Sequence, residues 1–298
     1  MSPTAIGRRR ITAMRPWWLV LVACGGGGAK PDAPIDAGSR CTATAPFGTP
    51  MPIASLNSVL DDQGARLTPD ELTVVFARAR SNGTTDLYMA TRASATDPFG
   101  APELLGAINS VNSERWPTLS PNALLMLFDS DRGTNAFHVY ITKRTATDQP
   151  FGPPAASVAL ADGDGEPMLA NAGALYFSSS TRTGLGAGDI WRVDVDSSGA
   201  TGTPAAVIGD VNGSGDERAP ALTADERVIA FARNSDVYLA SRSSPADGFG
   251  TASPVDGLAD PMAHEAPTWI SPDGCHLYVQ SDGSGGSGGL DLYMAARP

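Results

Sequence analysis

Five carboxylates recur at near-even spacing along the chain: Asp62, Glu114, Asp164, Glu217 and Glu265. Each stands just before a short β-rich run. If those runs line a channel, the loops before them gather at one mouth. A ring of carboxylates there would attract a cation or a basic peptide. The same recurrence fits a second role, one architectural job per repeat, such as bonding backbone amides or an arginine. Arg80, Arg132 and Arg182 stand in neighbouring loops as candidate partners. Glycoside cleavage asks for something else: two or three carboxylates at set separations, in environments that push their acidities apart. Unequal carboxylates converging on one pocket would mark an enzyme, whereas an even ring marks a binding scaffold.

Little else in the sequence carries chemistry. His138, His264 and His276 fall at different repeat positions, and none forms a close His-x-x-His pair. The acidic stretch Asp210 to Glu217 lacks the ligand spacing of a calcium loop and reads as a polar turn. There is no phosphate loop ending in Gly-Lys-Ser/Thr. The Gly283 to Gly289 run has the composition of a mobile hairpin. No metal, cofactor or catalytic residue is therefore expected.

The elements that position these residues repeat about every fifty residues. Asp86-Leu87-Tyr88 recurs as His138-Val139-Tyr140, Asp189-Ile190-Trp191, Asp236-Val237-Tyr238 and Asp291-Leu292-Tyr293. A Phe-Gly pair opens the units at Phe47, Phe99, Phe151 and Phe249, with Thr201-Gly202 as a decayed copy. A proline-led segment follows, and then an apolar run such as Val74-Val75-Phe76 or Met126-Leu127-Phe128. Each unit thus supplies four short strands, and the runs do not alternate cleanly, as expected for strands covered on both faces. A four-stranded unit repeated five times predicts an all-β, five-bladed propeller over residues 46–298; an incomplete six-bladed ring is the competing reading. The Ser271-Pro272-Asp273-Gly274 turn, with Asp291-Leu292-Tyr293 downstream, resembles the TolB-like branch of WD-type propeller repeats. That resemblance implies a non-enzymatic scaffold binding an envelope protein or peptide. Other five-bladed propellers are glycosidases, so a carbohydrate-binding or glycoside-hydrolysing protein is the alternative.

The phase of the repeat says how the ring closes. The body opens on the last strand of a blade and ends on the third. The segment near Met51 to Leu56 should therefore complete the fifth blade beside Leu290 to Ala295, removing an open edge. Cys41 precedes that closing strand and Cys275 starts the second strand of the same blade, so the two are candidates for a disulfide. Two buried free thiols are the other possibility.

The first 23 residues read as an export signal. Arg8, Arg9, Arg10 and Arg15 precede the apolar run Trp17 to Ala23. Leu21-Val22-Ala23-Cys24 resembles the bacterial lipobox, which implies Cys24 as the site of lipid attachment and a membrane contact through that anchor alone. Residues 24–45, rich in Gly, Pro and Asp, read as a tether. By the same resemblance, Gly25 rather than aspartate after the cysteine implies the outer membrane. No run of 18 or more apolar residues follows, so no membrane-spanning helix is expected. The chain has 32 acidic against 21 basic residues and a net charge of −11. Such a surface repels phosphate backbones, so no nucleic-acid partner is expected. A closed ring of this kind is expected to be a monomer.

Overall fold

Each proline-led segment and the apolar run after it form an antiparallel hairpin, and two further strands complete a sheet. The computed structural model describes Met1 and residues 40–133, 136–170, 173–196, 199–258 and 263–298. Nearly all of the expected export signal, Cys24 and most of the expected tether lie outside the described residues.

The described strands form five four-stranded antiparallel sheets. From the inside outward, the first blade holds Asp62–Leu67, Thr73–Ala79, Thr85–Thr91 and Glu103–Leu104. The second holds Glu114–Leu119, Leu125–Ser130, His138–Lys143 and Ala155–Ala156. The third holds Asp164–Ala170, Ala174–Ser179, Asp189–Asp196 and Gly199–Ala206. The fourth holds Glu217–Leu222, Val228–Arg233, Asp236–Ser241 and Ser253–Pro254. Glu265–Ile270, His276–Ser281 and Asp291–Ala296 make the fifth, with Met51–Pro52 as its outer strand. Every inner strand touches the inner strands of both neighbours, and the last touches the first. This is a closed five-bladed β-propeller. The competing six-bladed reading fails because the N-terminal strand pairs with the fifth sheet, Met51 opposite Met294 and Pro52 opposite Tyr293. Only two residues of the expected Met51 to Leu56 segment are strand.

The repeated signatures have a common geometry. In four blades an arginine after the third strand lies over the phenylalanine of a Phe-Gly pair: Arg92 on Phe99, Arg144 on Phe151, Arg242 on Phe249 and Arg297 on Phe47. Its ring centroid is 4.2 to 4.5 Å away in each, inside cation–π range. The glycine then donates its N–H, at 2.8 Å, to a third-strand carbonyl, as Gly100 does to Thr91. A Cβ on Gly100 would stand 3.3 Å from that oxygen, which is why glycine holds the position.

The inner strands are bulged. Register breaks after Gln63, Arg115, Gly165 and Arg218, where the next residue has positive φ: Gly64, Trp116, Glu166 and Ala219. Proline cannot adopt positive φ, and the fifth blade has Pro267 there, with its break displaced to Pro267/Trp269. A bulge leaves peptide groups unpaired by the ladder. Arg66 collects these along the axis: it donates to the carbonyls of Thr268 (2.6 Å), Pro220 (3.0 Å) and Glu166 (3.4 Å), and lies over Trp116.

The ring is locked at its seam. Cys41 and Cys275 form a disulfide with Cα atoms 5.6 Å apart, closing a span of 234 residues. Arg40 pairs with Glu71 of the first blade (2.6 Å) and with Asp273 of the fifth (2.9 Å), and Glu71 meets His276 Nδ1 at 2.8 Å. Residues 40–42, expected in the tether, are thus bonded to the propeller.

Two outcomes follow for stability. Replacing both cysteines by serine is expected to cost about 2–5 kcal/mol, read as a lower thermal midpoint that reductant reproduces in the wild type. Arg66→Met strands the Pro220 and Thr268 carbonyls without donors. It should cost about 3 kcal/mol or more in urea unfolding, with Arg66→Lys intermediate.

Candidate functional site

Among the recurring carboxylates, Asp62, Glu114, Asp164 and Glu217 are wholly buried, and Glu265 is 7% exposed. They therefore do not form an acidic ring open to solvent. Each of the four accepts an N–H from the loop before it: Ser58 (2.7 Å), Ser110 (3.0 Å), Ala161 (2.8 Å) and Gly213 (2.8 Å). Each also pairs with an arginine of its own blade: Arg78 (2.6 Å), Arg132 (2.8 Å), Arg182 (2.6 Å) and Arg233 (3.0 Å). That guanidinium is itself held between two aromatic rings, Phe76 and Tyr88 in the first blade. Arg80, the expected partner of Asp62, bonds Asp86 instead. Arg78, held over the Phe76 and Tyr88 rings, takes its place. The fifth blade carries no arginine here; Ser281 stands opposite Glu265.

The histidines are likewise separate. His138 meets Asp162 (3.1 Å), His264 meets Asp282 (2.9 Å), and His276 meets Glu71. Among the described residues no three metal-ligating side chains converge. The run Gly285-Gly286-Ser287-Gly288-Gly289 spells Gly-x-Ser-x-Gly. It lies in a loop between two strands, with the Ser287 N–H given to Asp291, and lacks the strand–turn–helix setting of a nucleophile elbow.

The two mouths differ. At the mouth formed by the first hairpin turns, the inner strands end on Leu67, Leu119, Ala170, Leu222 and Ile270, leaving about 30 Å³. At the other mouth a cavity of about 340 Å³ opens at the inner edge of the third blade. Here the repeat is broken. The residue after the recurring carboxylate is Gln63, Arg115, Gly165, Arg218 and Ala266 in turn, so Gly165 makes a gap flanked by two arginines. Its Cβ would fall 2.8 Å from Asp129 Oδ2, so only glycine lets that carboxyl approach.

Asp129, on the second strand of the second blade, is fully buried. It accepts the Glu166 N–H at 2.9 Å and stands 3.8 Å from Arg115 Nε. Burial pushes its carboxyl up to about 7, over the opposing pull of Arg115 and of that hydrogen bond. Glu166, with φ 55°, accepts from the Ala219 N–H (2.7 Å) and the Ser178 hydroxyl. Arg115 lies 3.4 Å above the Phe137 ring, and Arg218 Nε donates to Asp216 at 2.7 Å. Arg66 lies behind Glu166 and donates to its carbonyl at 3.4 Å; burial lowers its guanidinium to about 9, so it stays charged at neutral pH. Asp129, Glu166, Arg115, Arg218 and Arg66 are absent from the sequence-derived candidates. Their signal was the departure from the repeat: Ala77, Asp129, Ser178, Ala232 and Gln280 occupy one register position.

No family model matches the chain, and no curated protein is similar to it. Solved structures share the fold. A GH43_1 enzyme from Xanthomonas citri complexed with xylotriose is 11% identical, with TM-score 0.55 over 83% of this chain and 89% of that one. The α-L-arabinofuranosidase from Podospora anserina, in complex with cellotriose, is also 11% identical, with TM-score 0.53 over 86% and 98%. TolB from Acinetobacter baumannii is 16% identical, with TM-score 0.49; this chain covers 55% of its length. At these identities the likeness is one of fold alone.

An acid whose carboxyl is raised by folding holds its proton longer in the native state, so its contribution is present at low pH and lost as pH rises. For Asp129 that window runs from its ordinary value of 3.8 to about 7. Asp129→Asn removes this dependence. Relative to the variant, the wild type should lose on the order of 4 kcal/mol between about pH 4 and pH 8, read by urea unfolding.

Proposed function

We propose that this chain is an exported, lipid-anchored propeller that docks a polypeptide partner on its open mouth and performs no chemistry itself. One observation carries the reading. Val59, Leu60, Val111, Val158 and Ile208 are exposed, and all lie in loops that lead into inner strands. Leu185, also exposed, lies between the second and third strands of the third blade. These two loop sets share one mouth, as the Arg80 to Ser110 carbonyl bond (2.7 Å) and the Ala187 to Gly215 bond (2.8 Å) show. Val59 and Val111 are 83% and 86% exposed, and aliphatic groups set around a polar centre are what a protein-docking face presents.

The Cys41–Cys275 bridge supports export, because such bonds persist in oxidising compartments. With Cys24 acylated, the tether would hold the propeller at an envelope membrane. Hydrolysis is the weaker reading. Asp129 and Glu166 are both hydrogen-bonded into one wall, whereas a glycosidase pair flanks the scissile bond.

A photo-crosslinking residue at Val111 or Val158, in cells bearing the anchored protein, should give one adduct of defined mass. The same probe at Leu104, exposed on an outer strand, should give none, and Val59→Glu with Val111→Glu should abolish the adduct without lowering the thermal midpoint. Equal labelling from Leu104, or glycan turnover by the purified propeller, would overturn the proposal.

A further inference from the structure

We propose that the 340 Å³ cavity at the third blade binds a neutral, hydroxyl-rich small ligand, one sugar ring or polyol in size, and holds it without cleaving it.

The volume lies at the lower end of small-molecule sites, about 300–1,000 Å³. The lining sets the ligand's charge. Arg115 stands beside Asp129, while Glu166 acts on Arg218, which also holds Asp216. Cations and carboxylates thus alternate at short range. A ligand of either net charge meets repulsion along with attraction, and gains little for the loss of its hydration. A hydroxyl escapes this conflict, since it donates to a carboxylate and accepts from a guanidinium at once. Ser180 and Thr181 add hydroxyls to the cavity lining.

A second observation concerns unmet hydrogen-bonding capacity. Asp129 Oδ1 and Arg115 Nε are both buried, and among the described residues neither has a hydrogen-bond partner. Buried polar atoms are almost always satisfied, so this wall is short of one donor and one acceptor. A vicinal pair of hydroxyls would supply both once the Asp129 and Arg115 side chains turn toward the cavity, since neither atom is open to it. The Glu166 wall is also fixed in advance: Glu166 is held by four hydrogen bonds, one of them from Arg66 behind it. Such a site spends little on ordering itself when the ligand arrives.

The site shares the mouth proposed for polypeptide docking but is read separately from it, by ligand titration here and by crosslinking at Val111 there. The test is titration of the full-length protein with neutral monosaccharides and inositol, against hexuronates and amino sugars as charged probes, followed by ligand-observed NMR and calorimetry. Saturable binding of a neutral probe in the millimolar range is expected. Arg218→Ala should weaken it about tenfold. Ser180→Trp, at an exposed position on the rim, should block it and leave the thermal midpoint unchanged. Equal or tighter binding of a charged probe, indifference to both variants, absence of binding by every neutral probe, or cleavage of a bound glycoside would each overturn the proposal.

Discussion

Arg66 leaves the inner strand of the first blade and meets every other blade on the axis. Its guanidinium reaches carbonyls of the third, fourth and fifth blades, and it lies 5.6 Å from the Trp116 centroid of the second. Among the described residues no carboxylate forms an ion pair with it; Glu166 and Asp129 act only from a distance. A buried cation in that setting costs several kcal/mol of lost hydration, and charge-assisted bonds to well-aimed carbonyls must offset it. Those carbonyls are free only because the inner strands are bulged. Bulges and arginine therefore require each other. Removing the bulges would leave the charge without acceptors, and removing the charge would leave the acceptors buried and bare.

The same logic explains where the five-fold repeat is kept and where it is given up. Buried carboxylate, arginine and aromatic pair recur because each blade must tie its inner strand to the loop before it. The third blade has lost the Phe-Gly clamp, keeping only Thr201-Gly202. It compensates with the longest outer strand, Gly199–Ala206, where the other four blades have two residues. That blade also carries Gly165 and hosts the cavity. Ladder bonds have replaced the stacked arginine on the rim, which leaves the inner edge free to depart from the repeat.

The architecture was legible because apolar runs, turn residues and aromatic positions repeat in order, and a closed ring is the only arrangement that covers them all. The residues at the axis were not legible, for physical reasons. A bulge reverses the alternation of side chains, so Arg66 turns inward where a regular strand gives no such signal. Asp129 shows only through a register position that holds Ala77, Ser178, Ala232 and Gln280 elsewhere. Arg80 was misassigned because spatially equivalent arginines sit at unequal offsets. Arg78 and Arg233 follow their phenylalanine by two residues, Arg132 by four and Arg182 by five. A guanidinium on a long stem reaches one point from several positions, and spacing alone cannot separate them. What the repeat did hold was the carboxylates' recurrence; their burial is what decides that they brace the ring.

That bracing bears on function at one remove. Asp62 and Glu114 fasten the amides of Ser58 and Ser110, and their arginines reach Leu56 and Ile108 in the same loops. Those loops carry Val59 and Val111. An exposed aliphatic side chain on a mobile loop would cost ordering entropy on every encounter, and would invite unspecific contacts in the meantime. Held from below by a buried ion pair, it is presented in one geometry. Non-glycine residues with positive φ at Trp116, Glu166 and Ala219 fit the same account. Such strain persists only where neighbours over-determine it. Here the neighbours are the wall of the cavity and the arginine on the axis, so the constraint that closes the ring also fixes the shape of the surface it offers.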